Sequence, residues 1–299
     1  MTPPSPPSAA QEAQEAPVTL SVAHCLAEID LDPLRRAHTA YIVVDVIRAT
    51  TTLAVMFEQG ARRVLVARDV DAARRVRGSL PSALLAGEVN AVAPPDFDHG
   101  NSPDEWGRLD LTGCEILFST TNGARGLHAA MGGGPVFAGA LRNASAVCGA
   151  ALATARQLAT PAEHGAVAII CSGLHDQPAP DDSLCAGWLI ATLRAVAAQA
   201  GVSVALGAGT RQALEWLDAS RRAHDPSGDS PAQLWLADAL AETPAAHSVL
   251  EVGLGADIAW CADVDASTAV PMVAGEDIAR TLLVVERAPA DVLEIPIGE

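Results

Sequence analysis

The stretch that most limits the fold is Tyr41-Ile-Val-Val-Asp45, followed at once by Val46-Ile-Arg-Ala-Thr-Thr-Thr52 and the apolar Leu53-Ala-Val-Met-Phe57. One aromatic and three β-branched residues in a row read as a buried strand. A threonine cluster before an apolar run reads as a helix start. The chain therefore leaves the carboxyl end of a strand carrying Asp45 and Arg48 beside unpaired backbone N–H groups, which favour anions. An isolated Asp-x-x-Arg is more simply a structural ion pair at a capped helix. The same strand-then-polar-turn construction, however, recurs four more times down the chain.

In order, the sequence predicts a weak strand at 18–22, placed at an edge, the strand at 41–45 and its helix at 49–59. A short strand at 63–67, an exposed basic helix at 70–77 and a strand at 83–86 follow. Residues 89–107, broken by Pro94, Pro95, Gly100 and Pro103, form an irregular loop of a length that usually serves function. Strands at 115–119, 136–140 and 166–171 alternate with helices after Gly123, after Asn143 and from Asp181. Beyond Gly201 the chain reads as mainly helical to about residue 250, with closing strands at 270–273 and 281–285. Such alternation predicts an α/β fold, a three-layer α/β/α sandwich with a largely parallel to mixed sheet. The helical C-terminal half suggests a second lobe beyond a boundary near 160–165. Residues 1–17, rich in Pro, Ala, Ser, Gln and Glu, read as a disordered tail, and 18–299 as a single catalytic domain.

Composition narrows the chemistry. Apolar residues make up 49% and aromatics 3%, so Ala, Val and Leu must pack helices closely on the sheet. The formal charge of −17 speaks against nucleic acid or an anionic membrane as partner. No lysine occurs in the chain, which removes Schiff-base chemistry and a P-loop lysine. Cys25, Cys114, Cys148, Cys171, Cys185 and Cys261 show no metal-type spacing and fit reduced thiols in a cytoplasmic protein. No apolar run reaches bilayer length. A chain of this size and apolar content is expected to form a homodimer.

Ligands of open α/β sheets bind beyond the carboxyl ends of the strands. The residues found there form one rim: Asp45, Arg48, Thr50 and Thr51; Glu88; Thr120, Thr121, Asn122 and Gly123; Arg142, Asn143 and Ser145; Cys171, Ser172 and Gly173, with Asp181 and Asp182 opening the next helix. Each has a plain structural explanation as a cap or a turn. Together they make sense for phosphoryl transfer, in which spreading negative charge must be met by donors and a cation. Asp45, Glu88 and Asp182 are hard oxygen ligands of the kind Mg²⁺ prefers. Arg48 and the turn after it would clamp phosphate, while Thr121, Asn122 and Asn143 would hold a second acidic group, helped by Arg125 or Arg142.

Several blocks also run in the order seen in one family. Asp-Val-Ile-Arg-Ala-Thr-Thr-Thr (45–52), Gly87-Glu88, Gly-Asn-Ser-Pro (100–103), Thr-Thr-Asn-Gly (120–123), Asn-Ala-Ser-Ala (143–146) and Asp-Ser-Leu-Cys-Ala-Gly (182–187) resemble the 2-phosphosulfolactate phosphatases. So does the closing Asp-Ile-Ala-Trp-Cys-Ala-Asp-Val-Asp (257–265) with Val-Pro (270–271). The likeness spans about residues 41–273. It implies a Mg²⁺-dependent phosphatase of an unusual α/β fold, acting on (2R)-2-phospho-3-sulfolactate or a related phosphorylated 2-hydroxy acid. It also brings Asn101 and Ser102 to the substrate side and links the activity to coenzyme M biosynthesis. The segment 174–180 departs from the family's more hydrophobic or glycine-rich approach to the second acid.

The expected reaction is hydrolysis of a small anionic phosphate ester, with Asp45, Arg48, Asp182 and Cys185 as catalytic candidates. The nucleophile stays open between water, Asp45 and a thiolate of Cys171 or Cys185, the last favoured by a helix N-terminus. His99 is a candidate acid for the leaving alkoxide, and His175 and His247 are weaker ones. A haloacid-dehalogenase-type phosphatase is excluded, because its second acid would fall at Ile47 and its lysine is missing. The rival of another class is a non-catalytic protein that binds a small dianion. A third reading is a phosphatase of the same fold for another 2-phospho acid.

Overall fold

The computed structural model describes residues 16–30, 32, 36–174 and 176–293. The tail expected through residue 17 lies outside the described residues as far as residue 15, as does His175.

The run that opens the sequence argument is strand β2 (Thr39–Val44), buried on both faces. Its alternate side chains go to opposite layers. Tyr41 and Val43 pack with Leu53, Val55, Met56 and Phe57 of helix α1 (Ala49–Glu58). Ile42 and Val44 pack on the other side against Val147 and Leu152 of α5 (Ala144–Leu158) and Leu184 and Leu189 of α6 (Pro180–Gln199). That alternation, one residue up and the next down, is what a sheet between two helical layers requires. The architecture is α/β, with three layers.

Ten strands form one sheet in the order β4-β5-β3-β10-β9-β6-β2-β7-β1-β8. One half is wholly parallel: β6 (Val136–Gly139), β2, β7 (Ala166–Cys171), β1 (Val18–Ala23) and β8 (Val204–Leu206). The other half joins parallel β4 (Leu84–Gly87), β5 (Glu115–Ser119) and β3 (Arg63–Ala67) to the antiparallel pair β10 (Leu282–Arg287) and β9 (Pro271–Asp277). A single pairing, Phe137 with Met272, links the halves. The two C-terminal strands therefore sit in the middle of the sheet and hold its halves together.

β1 is an interior strand, not the edge expected, because β8 lies outside it. β8 is three residues long and half-exposed, too short to stand out from the helical pattern around it. The loop from 89 to 107 ends in a four-residue helix, α3 (Pro103–Trp106), after α2 (Val70–Arg77) and before α4 (Gly123–Ala130). Past β8 the chain runs through α7 (Thr210–His224), α8 (Ala232–Ala241), α9 (Pro244–Glu251) and α10 (Ala256–Ala262), and it closes after β10 with α11 (Ala290–Leu293).

Close helix packing here depends on small residues. A Cβ on Gly187 of α6 would stand 2.3 Å from the Ala213 carbonyl of α7, so only glycine fits. The six cysteines form no disulfide. Among the described residues no helix is long and apolar enough to cross a membrane.

Candidate active site

Asp45 ends β2 in a turn built by the threonines that follow. Thr50 donates its N–H and its hydroxyl to the Asp45 carbonyl, at 3.0 and 2.9 Å. The Thr51 hydroxyl donates to the Val46 carbonyl at 2.9 Å, and that of Thr52 to the Asn101 carbonyl at 3.2 Å. All three threonines are fully buried, and their hydroxyl protons are committed to backbone. Thr50 and Thr51, expected on the substrate side, hold the backbone of the turn at Asp45 and Val46. Opposite it, a Cβ on Gly123 would come 2.9 Å from Asp45 Oδ2 and 2.4 Å from the Ala49 Cβ. The glycine of Thr-Thr-Asn-Gly is there because the start of α4 runs against this acid.

Three more carboxylates gather around Asp45. Asp181 and Asp182 lie in the first turn of α6, after Pro180, and both are buried. Asp182 Oδ1 accepts from the Val46 N–H and Oδ2 from the Gly173 N–H, both at 3.0 Å, which ties the turns after β2 and β7 together. Asp181 Oδ1 is buried with no hydrogen-bond partner. Glu88, past β4 in the other half of the sheet, accepts from the Thr121 N–H at 2.7 Å and the Ala91 N–H at 3.0 Å.

The electrostatics follow from this crowding. Burial, then the negative charges of Asp181 and Glu88, push the Asp45 carboxyl up to about 7. Burial pushes Asp181 up to about 6, and burial with the charges of Asp181 and Asp45 raises Asp182 well above the usual carboxylate range. The charges of Asp45 and Asp182 thus act on one another, and that of Glu88 reaches Asp45 from the turn after β4. Asp181 completes the group. Sequence reasoning placed it on the rim but passed it over as a helix cap; the Asp181-Asp182 doublet was its only signal.

An orphaned, buried carboxylate oxygen among acids that repel one another fits a hard divalent cation. Among the described residues no three His, Cys, Asp or Glu side chains are arranged so that they could hold a metal ion by themselves. Two further buried polar atoms without partners, Ser172 Oγ and Asn101 Oδ1, come from turns of the same rim.

Other expected site residues are engaged in holding the fold. Arg48 does not pair with Asp45. Its Nη1 lies 2.7 Å from Asp257 Oδ2 and its Nη2 donates to the Ala91 carbonyl at 2.8 Å. The Ser102 hydroxyl donates to Asp257 Oδ1 at 2.5 Å. Arg48 and Ser102, expected as phosphate clamp and substrate contact, are therefore joined through Asp257 of α10, a residue quoted in the closing block but given no role. Asn143, fully buried, does not cap α5 with its side chain. Its Oδ1 accepts from the Ala140 N–H, and its Nδ2 donates to the Ala138 and Ala269 carbonyls. Ser145 donates through its N–H and hydroxyl to Asp265. Arg142 bridges Glu58 and Asp263 and stacks over Trp260.

Thr120 accepts from the Ala124 N–H at 3.0 Å, Thr121 is exposed, and Asn122 is half-buried at the mouth. Arg125 pairs with Asp176 across that mouth at 2.7 Å. His99 pairs with Glu105 and tilts against Trp106. Cys185, one of the candidate thiolates, is fully buried, and burial with the nearby Asp182 raises its thiol against any help from the helix N-terminus. Cys171 is raised in the same way.

Comparison with known proteins gives one consistent result. Residues 27–276 match the model of the family described as 2-phosphosulpholactate phosphatase. A probable 2-phosphosulfolactate phosphatase of Thermus thermophilus is 35% identical over 254 residues, 82% of this chain and 94% of its own length. One of Deinococcus radiodurans is 32% identical over 252 residues, covering 84% of this chain and 94% of the relative. A third, of Symbiobacterium thermophilum, is 31% identical over 233 residues, or 77% and 89% of the two chains.

Proposed function

This chain belongs to the 2-phosphosulpholactate phosphatase family, and from that premise we propose that it hydrolyses the phosphate monoester of a 2-hydroxy acid, with (2R)-2-phospho-3-sulfolactate as substrate and Mg²⁺ as cofactor. The observation that carries the reading is the buried group of Asp45, Asp181 and Asp182, with Asp181 Oδ1 unpartnered. A protein that only binds an anion would gain nothing from burying three acids that repel it.

The residues that would hold Mg²⁺ are Asp45, Glu88 and Asp182, joined by Asp181, whose free oxygen is the open ligand. Once bound, the cation would offset the charge that spreads over the phosphoryl oxygens. The protein's own part is positioning. Asp182 uses both oxygens to fix the backbone at Val46 and Gly173, and so sets the distance between the ends of β2 and β7. Glu88 fixes the backbone at Thr121 and Ala91. Arg48 holds the same Ala91 from its other side and anchors it to Asp257.

The attacking water needs a base. Without the cation Asp45 is held near 7 and Asp181 near 6; once bound, the cation would lower both, and a carboxylate oxygen that it leaves free would take the water's proton. Water, not a thiol, is the nucleophile in this reading, since Cys171 and Cys185 are both buried and raised.

The test is phosphate release from 2-phospho-3-sulfolactate in EDTA and after adding Mg²⁺. Turnover that appears only with the cation supports the reading. Saturable binding of the ester with no release of phosphate in Mg²⁺ would make the protein a binder. Faster turnover of another 2-phospho acid in a substrate panel would keep the chemistry and replace the substrate.

A further inference from the structure

Beside the acid group, over the carboxyl ends of β3, β4 and β5, lies a cavity of about 340 Å³. That is within the range of small-molecule sites, about 300–1,000 Å³. Glu88 belongs to both places: it lines the cavity, and its charge is felt at Asp45. Thr120 and Thr121, at the end of β5, form the adjoining wall.

Three guanidinium groups border this cavity, and two are already engaged. Arg125 pairs with Asp176 at 2.7 Å. Arg74 is held by both oxygens of Asp96, at 2.8 and 2.9 Å, and by Asp71 at 3.3 Å. The third, Arg68, is the first residue past β3 and is exposed; among the described residues it makes no hydrogen bond or ion pair. The acids of the same wall do not compete for it. Asp71 is taken by Arg74, and Asp69 caps α2 by accepting from the Ala72 N–H at 2.7 Å.

An arginine on open surface is ordinarily just solvated. Arg68 stands instead in a concavity at the carboxyl end of a parallel strand, where sheets of this kind take their ligands. We propose that Arg68, together with the exposed Thr121 hydroxyl, binds the second anionic group of the substrate, a sulfonate or carboxylate, while the phosphate ester lies at the carboxylates. Glu88 then divides the site: it keeps its own backbone partners on Thr121 and Ala91 and stands between the two anionic groups. The assignment rests on the phosphatase reading above and adds the residue that selects for an acidic substrate.

The experiment uses the full-length protein with Arg68→Ala and Arg68→Lys, and two kinds of readout. In the first, kcat and KM are measured in Mg²⁺ for 2-phospho-3-sulfolactate, for phospholactate and for p-nitrophenyl phosphate, which has no second acid. Losing one charge-assisted contact should raise KM for the acid substrate about tenfold with kcat nearly unchanged. The change for p-nitrophenyl phosphate should be under about twofold, and Arg68→Lys should recover part of the loss. An effect shared by phospholactate assigns the carboxylate to Arg68, and one confined to the sulfonated ester assigns the sulfonate. Equal KM changes for all three esters, or none, would overturn the proposal.

The second readout is calorimetric binding of 3-sulfolactate, which needs no turnover. If the wild type hydrolyses no ester yet binds sulfolactate and Arg68→Ala does not, the phosphatase reading fails and the subsite stands. If wild type and Arg68→Ala bind sulfolactate equally, or neither binds it, Arg68 has no such role.

Discussion

Two turns leave neighbouring strands of the parallel half and look alike in sequence: Asp45 to Thr52 after β2, and Arg142 to Ser145 after β6. Both carry buried polar residues, and both hold an arginine in an ion pair. After β6 the polarity is spent internally. All three of Asn143's hydrogen bonds go to backbone, Arg142 spans Glu58 and Asp263, and Ser145 is doubly bonded to Asp265. After β2 the turn is equally well built, but its one carboxylate, Asp45, meets the repelling Asp181 and Asp182 at the start of α6, where one oxygen, Asp181 Oδ1, has nothing to bond. Burial of polar groups is thus no mark of function on this rim. Incomplete satisfaction is, because an unpaired buried acceptor costs stability unless a ligand completes it.

Substitution at each turn should break this symmetry in opposite ways. Asp45→Asn should lower Mg²⁺-dependent turnover by roughly 10³-fold, the scale of losing a main electrostatic contributor. Its melting temperature in EDTA should hold or rise, because a repelling charge has gone. Asn143→Ala should do the reverse. It removes three hydrogen bonds, those to the Ala138 and Ala269 carbonyls and that from the Ala140 N–H, and should cost roughly 3 kcal/mol in urea unfolding at about 1 kcal/mol per bond. Turnover per folded molecule should stay near wild type. An Asn143→Ala enzyme that melts normally but is inactive would make the turn after β6 part of the site.

Arg48 tests the comparison at a residue whose sequence reading was a phosphate clamp. Its side chain is 2% exposed and that of Asp257 is 1% exposed, so Arg48→Ala strands a buried charge. The expected cost in denaturant unfolding is about 3 kcal/mol or more. A variant with a raised KM and unchanged stability would return Arg48 to the substrate.

The α/β class, the strands at 115–119 and 166–171 and the acid at the end of β2 were legible from the sequence because each rests on local signals: periodicity, β-branching and turn chemistry. So was the rim itself, since strand ends can be read off one by one. The destination of a long polar side chain could not be read. Arg48 meets Asp257, 209 residues on, and the Ser102 hydroxyl reaches the same acid across 155. Nothing local distinguishes Asp181 from Asp182 either. The helix start presents both, and only the fold decides which one the backbone N–H groups of Val46 and Gly173 satisfy. β9 and β10 were found as strands, but their place between the halves depends on pairing, which local pattern does not carry.

Metal addition sharpens the same contrast on a smaller scale. Mg²⁺ at a hundred times its Kd should stabilise the wild type by about 2.7 kcal/mol in thermal or urea unfolding. Asp181→Asn, which removes the open oxygen's charge, should be more stable than wild type in EDTA and gain little from the cation. Asn143→Ala should gain as much as wild type. Equal stabilisation of Asp181→Asn and wild type would move the cation elsewhere.

The smallest effect expected is at Cys185, the residue whose sequence and structural readings differ most. The first turns of α6 offer partial positive charge, and that alone would favour a thiolate. Against it stand full burial and the neighbouring Asp182 and Asp181, which all raise the thiol. The dipole's benefit falls off within the first turn, whereas desolvation acts on the whole charge, so the thiol stays protonated and packs as a small apolar group. Cys185→Ala should therefore keep turnover within about threefold of wild type while losing a little stability to the smaller side chain. An inactive Cys185→Ala protein with an unchanged melting temperature would restore the thiol as nucleophile and leave the carboxylates with the metal alone.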